Sequence, residues 1–132
     1  MSIDQPAPYT ILVADDERDV VDITADMLET FGCRVLRAYS AREALAHLDD
    51  DPAIALVVSD IRMPEVDGFD LMRVIRYRFG KLAVVLMTGL PVTDDDHVPP
   101  GAAILRKPFT FDQLRRALPP GALAGRRATG TT

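Results

Sequence analysis

Five short apolar runs, at residues 9–14, 33–38, 54–58, 82–87 and 102–105, alternate along the chain with segments of helical spacing. Each run is too short for a helix and rich in Val, Ile and Leu, the pattern of a strand covered on both faces. Between the runs, Val20, Met27, Leu28 and Phe31 fall on one helical stripe that Gly32 ends. Ser40 is placed to cap a helix carrying Ala44, Leu45 and Leu48, which stops at Asp49-Asp50-Asp51 and Pro52. A third helix carries Leu71, Val74 and Ile75 and closes near Gly80. A last one opens at Thr110, carries Phe111, Leu114 and Leu118, and meets Pro119-Pro120. Strands buried on both faces and joined through helices make βαβ crossovers. The expected fold is therefore α/β, a doubly wound parallel sheet of five strands.

One crossover breaks the rhythm. The stretch between Thr88 and Arg106 includes Pro91, Pro99 and Pro100, and a proline disfavours helix in the residue before it. The fourth helix is expected to be short or missing, replaced by one turn or an irregular loop. Residues 1–8 and 119–132 hold many of the turn-forming and small residues and are expected to be flexible tails around one domain at 9–118.

The acids outnumber the bases, 20 to 15, for a net charge of −5. Such a surface repels nucleic acid, so no direct contact with DNA or RNA is expected. No apolar run exceeds six residues, which excludes a membrane-spanning helix. The start, MSIDQPAPYT, lacks the basic segment of a secretory signal, and the single Cys33 suits a reducing interior. A cytoplasmic protein is expected, with Cys33 a small core residue.

In a doubly wound sheet, ligands bind beyond the carboxyl ends of the strands. Asp15 and Asp16 follow the first strand, Asp60 the third, Thr88 the fourth and Lys107 the fifth. Clustered carboxylates repel one another and demand a counter-charge, which a hard divalent cation such as Mg2+ supplies. A carboxylate there can act as a nucleophile toward phosphorus. The transferred group then needs its equatorial oxygens neutralised by metal, lysine and hydroxyl, the set that Asp16, Asp60, Lys107 and Thr88 offer.

From about Thr10 to Leu118, the chain resembles the receiver domain of bacterial two-component response regulators, of the chemotaxis-regulator type. The resemblance rests on Ile11-Leu12-Val13-Ala14-Asp15-Asp16-Glu17, on Ser59-Asp60-Ile61-Arg62-Met63-Pro64 with Asp67-Gly68, on Met87-Thr88-Gly89 and on Arg106-Lys107-Pro108-Phe109. It implies a flavodoxin-like sheet of strand order 2-1-3-4-5, with Asp60 as phosphoacceptor. It also implies Mg2+ held by the side chains of Asp16 and Asp60 and the Arg62 backbone carbonyl, with Asp15 acting through water. Lys107 and Thr88 would bind the phosphoryl group, Gly89 would leave room for it, and the Lys107–Pro108 bond would be cis. Pro64 and Gly68 would shape the loop after Asp60.

By the same resemblance, a histidine kinase or histidine phosphotransfer protein donates the phosphoryl group. The modified domain then binds a downstream protein, as a stand-alone regulator or a relay, and catalyses nothing beyond its own phosphorylation and dephosphorylation. The switch departs from the family. Three residues before the lysine, receivers carry Tyr or Phe that swings inward with the threonine, whereas this chain has Ile104. A stiff branched aliphatic cannot make the same rotation.

Two alternatives stand beside this reading: a receiver-like module that binds protein without phosphorylation, and a phosphatase of the haloacid-dehalogenase type. The latter needs D-x-D after the first strand, where this chain has Asp15-Asp16-Glu17. His47 is expected at a surface and His97 in an acidic loop. Arg73, Arg76, Arg78 and Lys81 put positive charge on and after the third helix, and Arg115, Arg116, Arg126 and Arg127 are candidates for kinase or target contact.

Overall fold

The computed structural model describes residues 9–93 and 97–122. Strands β1 (Thr10–Ala14), β2 (Arg34–Ala38), β3 (Ile54–Asp60), β4 (Ala83–Thr88) and β5 (Ala103–Arg106) form one sheet. All neighbours are parallel, in the order β2-β1-β3-β4-β5. Helices α1 (Arg18–Thr30), α2 (Ala41–Asp50), α3 (Gly68–Phe79) and α4 (Phe111–Ala117) complete the fold. The doubly wound α/β architecture and strand order expected above are present. Between β4 and β5 no helix occurs among the described residues, in keeping with the proline-rich crossover.

Side chains alternate across each strand, and in the central strands both faces are buried. Leu12, Val57 and Leu86 meet α2 and α3 through Leu48, Leu71 and Ile75. Ile11, Val13, Val58 and Met87 meet α1 and α4 through Val21, Leu28 and Leu114, with Cys33 in the same core. Ser40 caps α2 as expected, its hydroxyl accepting from the Glu43 N–H at 3.1 Å. Thr110 and Gln113 close a reciprocal capping box on α4.

Four expectations need correction. The runs forming β2 and β5 are less buried than expected: at the edges of the sheet β2 is only half-covered, with Val35 and Leu36 packing against opposite cores, and β5 leaves its Ile104 face open. Along β2 only Ala38 is buried, and along β5 only Leu105. The inner face of α1 is Val21, Thr24, Ala25 and Leu28, whereas Met27 and Phe31 only flank it. Small Thr24 and Ala25 let the helix lie close to the sheet, which rotates its contact line. Residues 119–122 do not hang as a tail: Ala122 is 6% exposed and packs into the α1/α4 core, its N–H donating to the Pro119 carbonyl. Lastly, His47 is half-buried rather than at the surface, with Nε2 3.0 Å from the Arg37 carbonyl oxygen. The expectations for residues 1–8 and 123–132, Arg126 and Arg127 among them, lie outside the described residues.

Truncating Leu56, 0% exposed in β3, is expected to destabilise the domain by about 2–5 kcal/mol. The same truncation at Ile104, 37% exposed on edge strand β5, is expected to cost under about 1 kcal/mol. Urea unfolding of Leu56→Ala and Ile104→Ala measures both. Equal losses would mean that β5 is covered after all.

Candidate functional site at the carboxyl ends of the strands

Three carboxylates and one lysine meet at one rim of the sheet. Asp15, just past β1, is 0% exposed, and Asp60, the last residue of β3, is 4% exposed. Asp16 beside them is exposed. Lys107 follows β5, and its N–H donates to the Thr88 carbonyl at 2.8 Å, which extends the ladder to β4. From there its Nζ lies 2.9 Å from Asp60 Oδ1 and 3.1 Å from Asp15 Oδ2, bridging two buried acids. The other Asp15 oxygen, Oδ1, accepts from the Glu17 N–H at 3.0 Å. The Arg62 N–H donates to the Asp60 carboxylate, so that peptide group belongs to the site.

The site's charge balance follows from this geometry. Burial pushes Asp15 up to about 6; the Glu17 hydrogen bond opposes the shift and the Asp60 charge adds to it. Burial also raises Asp60, against the hydrogen bond and charge of Lys107 and with the charge of Asp16. For Lys107, burial disfavours the ammonium, but its bonds to Asp60 and Asp15 outweigh that and hold it above the ordinary lysine value. One ammonium therefore serves a cluster that carries three negative charges when fully ionised.

That excess is what a divalent cation would neutralise. One oxygen from each of Asp15, Asp16 and Asp60 lies within 4.8 Å of the others. Opposite ligands of Mg2+ are about 4.2 Å apart, so this all-oxygen cluster fits the ion when one acid acts through water.

The remaining expected residues are placed as follows. Thr88 ends β4, buried, with its hydroxyl donating to the Leu90 carbonyl at 2.7 Å and accepting from the Leu90 N–H at 3.0 Å. Gly89 is exposed, and a Cβ there would meet nothing within 4 Å. The Lys107–Pro108 bond is cis. Ile104 is not among the clustered groups; it sits on an open face of β5, three residues before Lys107.

Gly68 has a tighter role than loop shaping. A Cβ on it would fall 2.8 Å from the Ile61 Cα and closer still to the Asp60 carbonyl oxygen. Its N–H donates to the Ile61 carbonyl at 2.8 Å. Only a glycine lets the start of α3 press against the chain at Asp60 and Ile61. The cue in the sequence was Asp67-Gly68, an N-cap followed by glycine, but that pair alone does not reveal the contact. An apolar cavity of about 280 Å³ also adjoins the site, lined by Val20, Ile23, Thr24, Met27, Lys107, Pro108 and Phe109.

An open α/β sheet with acids and a lysine gathered at its carboxyl rim fits the class of phosphoacceptor signalling domains. The sequence model of the family Response regulator receiver domain matches residues 11–119. The chain belongs to that family. Response regulator SaeR of Staphylococcus aureus is 39% identical over 114 residues, covering 79% of this chain and 46% of SaeR. The chain thus spans about half the length of the curated relatives it matches. A response regulator receiver domain protein from Clostridium thermocellum superposes with a TM-score of 0.77 at 31% identity, covering 92% of this chain and 98% of that one. Chemotaxis protein CheY4 of Vibrio cholerae gives 0.76 at 25% identity, covering 85% and 100%. This chain is accordingly a receiver domain of the response-regulator family, and none of these relatives supports the phosphatase or the unphosphorylated-module reading. Receiver domains bind Mg2+ at an acidic pocket, and the cluster here is compatible with that ion. Among the described residues no helix is long and apolar enough to cross a membrane.

The raised acids predict a pH dependence for the metal-free protein. A group whose pKa is higher folded than unfolded holds more protons when folded, so its contribution to stability is lost as pH rises through the folded value. For Asp15 the window runs from about 4 to about 6, with a loss on the order of 3 kcal/mol. Urea unfolding in chelator is expected to show wild type losing stability across this window relative to Asp15→Asn. Parallel curves for the two proteins would contradict it.

Proposed function

We propose that Asp60 is the phosphoacceptor and that the site transfers a phosphoryl group to it from the phosphohistidine of a kinase or phosphotransfer protein. The Lys107 ammonium, held between Asp60 and Asp15, carries this reading: it sets a positive charge beside the nucleophile, where the phosphoryl oxygens arrive. A carboxylate oxygen of Asp60 attacks phosphorus, the bond from phosphorus to the donor imidazole breaks, and the imidazole leaves with its electron pair. Lys107 moves from sharing two acids to pairing with a phosphoryl oxygen. To donate to another oxygen, Thr88 gives up the bond its hydroxyl makes to the Leu90 carbonyl. Gly89 leaves the approach open, since no side chain projects from it.

Asp16 and Asp60 would hold Mg2+ by their side chains, with the Arg62 carbonyl as a third ligand and Asp15 acting through water. When bound, the ion supplies charge neutralisation to the transferring group. The domain would act in the cytoplasm and catalyse only its own phosphorylation and dephosphorylation.

The apolar cavity beside Lys107 supports an approach of the donor over α1, where Ile23 is exposed. Ile23→Asp is expected to slow transfer from a kinase at least about tenfold while leaving transfer from acetyl phosphate unchanged. Equal slowing with both donors would place Ile23 in the chemistry or the fold instead.

Intact-protein mass after incubation with acetyl phosphate and Mg2+ tests the acceptor. One phosphoryl gain is expected, labile to hydroxylamine and lost in chelator and in Asp60→Asn. Lys107→Ala is expected to slow uptake about a hundredfold. A gain that persists in Asp60→Asn would mean a different nucleophile.

A further inference from the structure

β2 is an edge of the sheet, and an edge strand presents N–H and C=O groups with no neighbouring strand to take them. Its bonds to β1 show which groups these are. The Arg34 N–H donates to the Tyr9 carbonyl at 2.9 Å, and the Ala38 carbonyl accepts from the Asp15 N–H at 3.2 Å. Backbone groups alternate in direction along a strand, so those of Val35, Arg37 and Tyr39 point outward. Val35 keeps both of its groups, and Arg37 its N–H, without a partner among the described residues.

Two other outward groups are taken by side chains of α2. The Tyr39 N–H donates to Glu43 Oε1 at 2.9 Å. His47 Nε2 lies 3.0 Å from the Arg37 carbonyl oxygen, and since a carbonyl only accepts, that nitrogen carries the proton. From Glu43 to His47 the helix ascends while its partners descend from Tyr39 to Arg37, so α2 runs antiparallel to β2. Four helical residues rise about 6 Å and two strand residues about 6.6 Å, so one stripe of α2 meets successive outward groups. Asp51, four positions further on, continues the row by pairing with the Arg34 guanidinium at 2.8 Å.

We propose that Glu43 and His47 shield the edge of β2 from a second copy of this chain, which pairs with it strand to strand once the two side chains are removed. A two-fold axis at Leu36 sets the two β2 strands antiparallel, with Val35 of each copy opposite Arg37 of the other. Both residues face outward, so each such pair exchanges two hydrogen bonds. No like charges meet in this register: Leu36 lies against Leu36 and Arg34 against Ala38. Arg37 is already engaged by Asp22 and Asp26 of its own α1, at 2.9 and 3.2 Å. The strand is thus self-complementary, which selects a second copy over an unrelated strand. In the same register the Val35 N–H of the second copy needs the Arg37 carbonyl that His47 holds, and the imidazole stands in the path of the incoming strand. The edge lies apart from the carboxylate cluster, so the shield does not depend on Asp60 chemistry.

Amide NMR and hydrogen exchange of the full chain test this. In wild type, relative to free-peptide rates, the Tyr39 amide is expected to exchange at least about tenfold slower than that of Val35, because a carboxylate holds it. That comparison does not depend on any variant folding. The double variant Glu43→Ala with His47→Ala keeps good helix formers in α2. It is expected to show concentration-dependent shifts at Val35 and Arg37, with a dimer in sedimentation at about 1 mM or below, whereas wild type shows neither. Three further variants separate a bared edge from mere loss of stability. His47→Gln alone keeps an N–H donor and is expected to behave as wild type. Asp26→Ala loosens the α1 side of Arg37 but leaves the edge covered, and is expected to show no shift at β2 with concentration. Val35→Pro, added to the double variant, removes an outward N–H that has no internal partner and is expected to abolish the association. Four results would overturn the proposal: equal exchange at Tyr39 and Val35; no shift at β2 in the double variant up to about 1 mM; association of His47→Gln or Asp26→Ala as strong as that of the double variant; or association that survives Val35→Pro.

Discussion

The contact between Lys107 Nζ and the carboxylates of Asp15 and Asp60 is the constraint around which this domain is organised. Buried acids left unpaired would be strongly destabilising, and one ammonium at 2.9 and 3.1 Å from their oxygens offsets much of that cost. The contact also ties together the carboxyl ends of β1, β3 and β5, with Asp15 and Lys107 lying 92 positions apart in the chain. The pairing is incomplete by design of the charges: three acids against one lysine leave room for a divalent cation and then for an incoming anion. Structure and chemistry therefore draw on the same imbalance.

A second dependence runs through the backbone beneath the acceptor. Gly68 lets α3 begin against Asp60, the Ile61 N–H donates to the Met87 carbonyl, and the Arg62 N–H turns back to the Asp60 carboxylate. The Asp60 carboxylate is thus fixed by a rigid strand end, whereas the Thr88 hydroxyl bonds to its own loop at Leu90. In the proposed reaction the rigid carboxylate would perform the chemistry, and the Thr88 hydroxyl, placed where the irregular crossover begins, would change partners.

Much of the fold was readable from the apolar runs, because central strands buried on both faces leave no polar residue until their carboxyl ends. For the same reason Asp60, Thr88 and Lys107 stood out. Apolar patterning alone did not show position within the sheet: Val35-Leu36 in β2 and Ile104-Leu105 in β5 look as buried as Val57-Val58, and only the strand order, which the family resemblance supplied, makes edges of them. The stripe of α1 was misplaced because periodicity weights large side chains, whereas Thr24 and Ala25 set the closest approach to the sheet. Within the site, residue types announced the acids and the lysine. The sharing of Lys107 by two acids, the Thr88–Leu90 tie and the steric demand at Gly68 arise only from tertiary placement.

The central claim is that Asp60, among three neighbouring aspartates, receives the phosphoryl group. Reduction of the phosphorylated protein with borohydride converts an aspartyl phosphate to homoserine, and peptide mass mapping then locates it. The account predicts homoserine at position 60 alone. Homoserine at Asp15 or Asp16, or none from protein that carries a phosphoryl group, would contradict it.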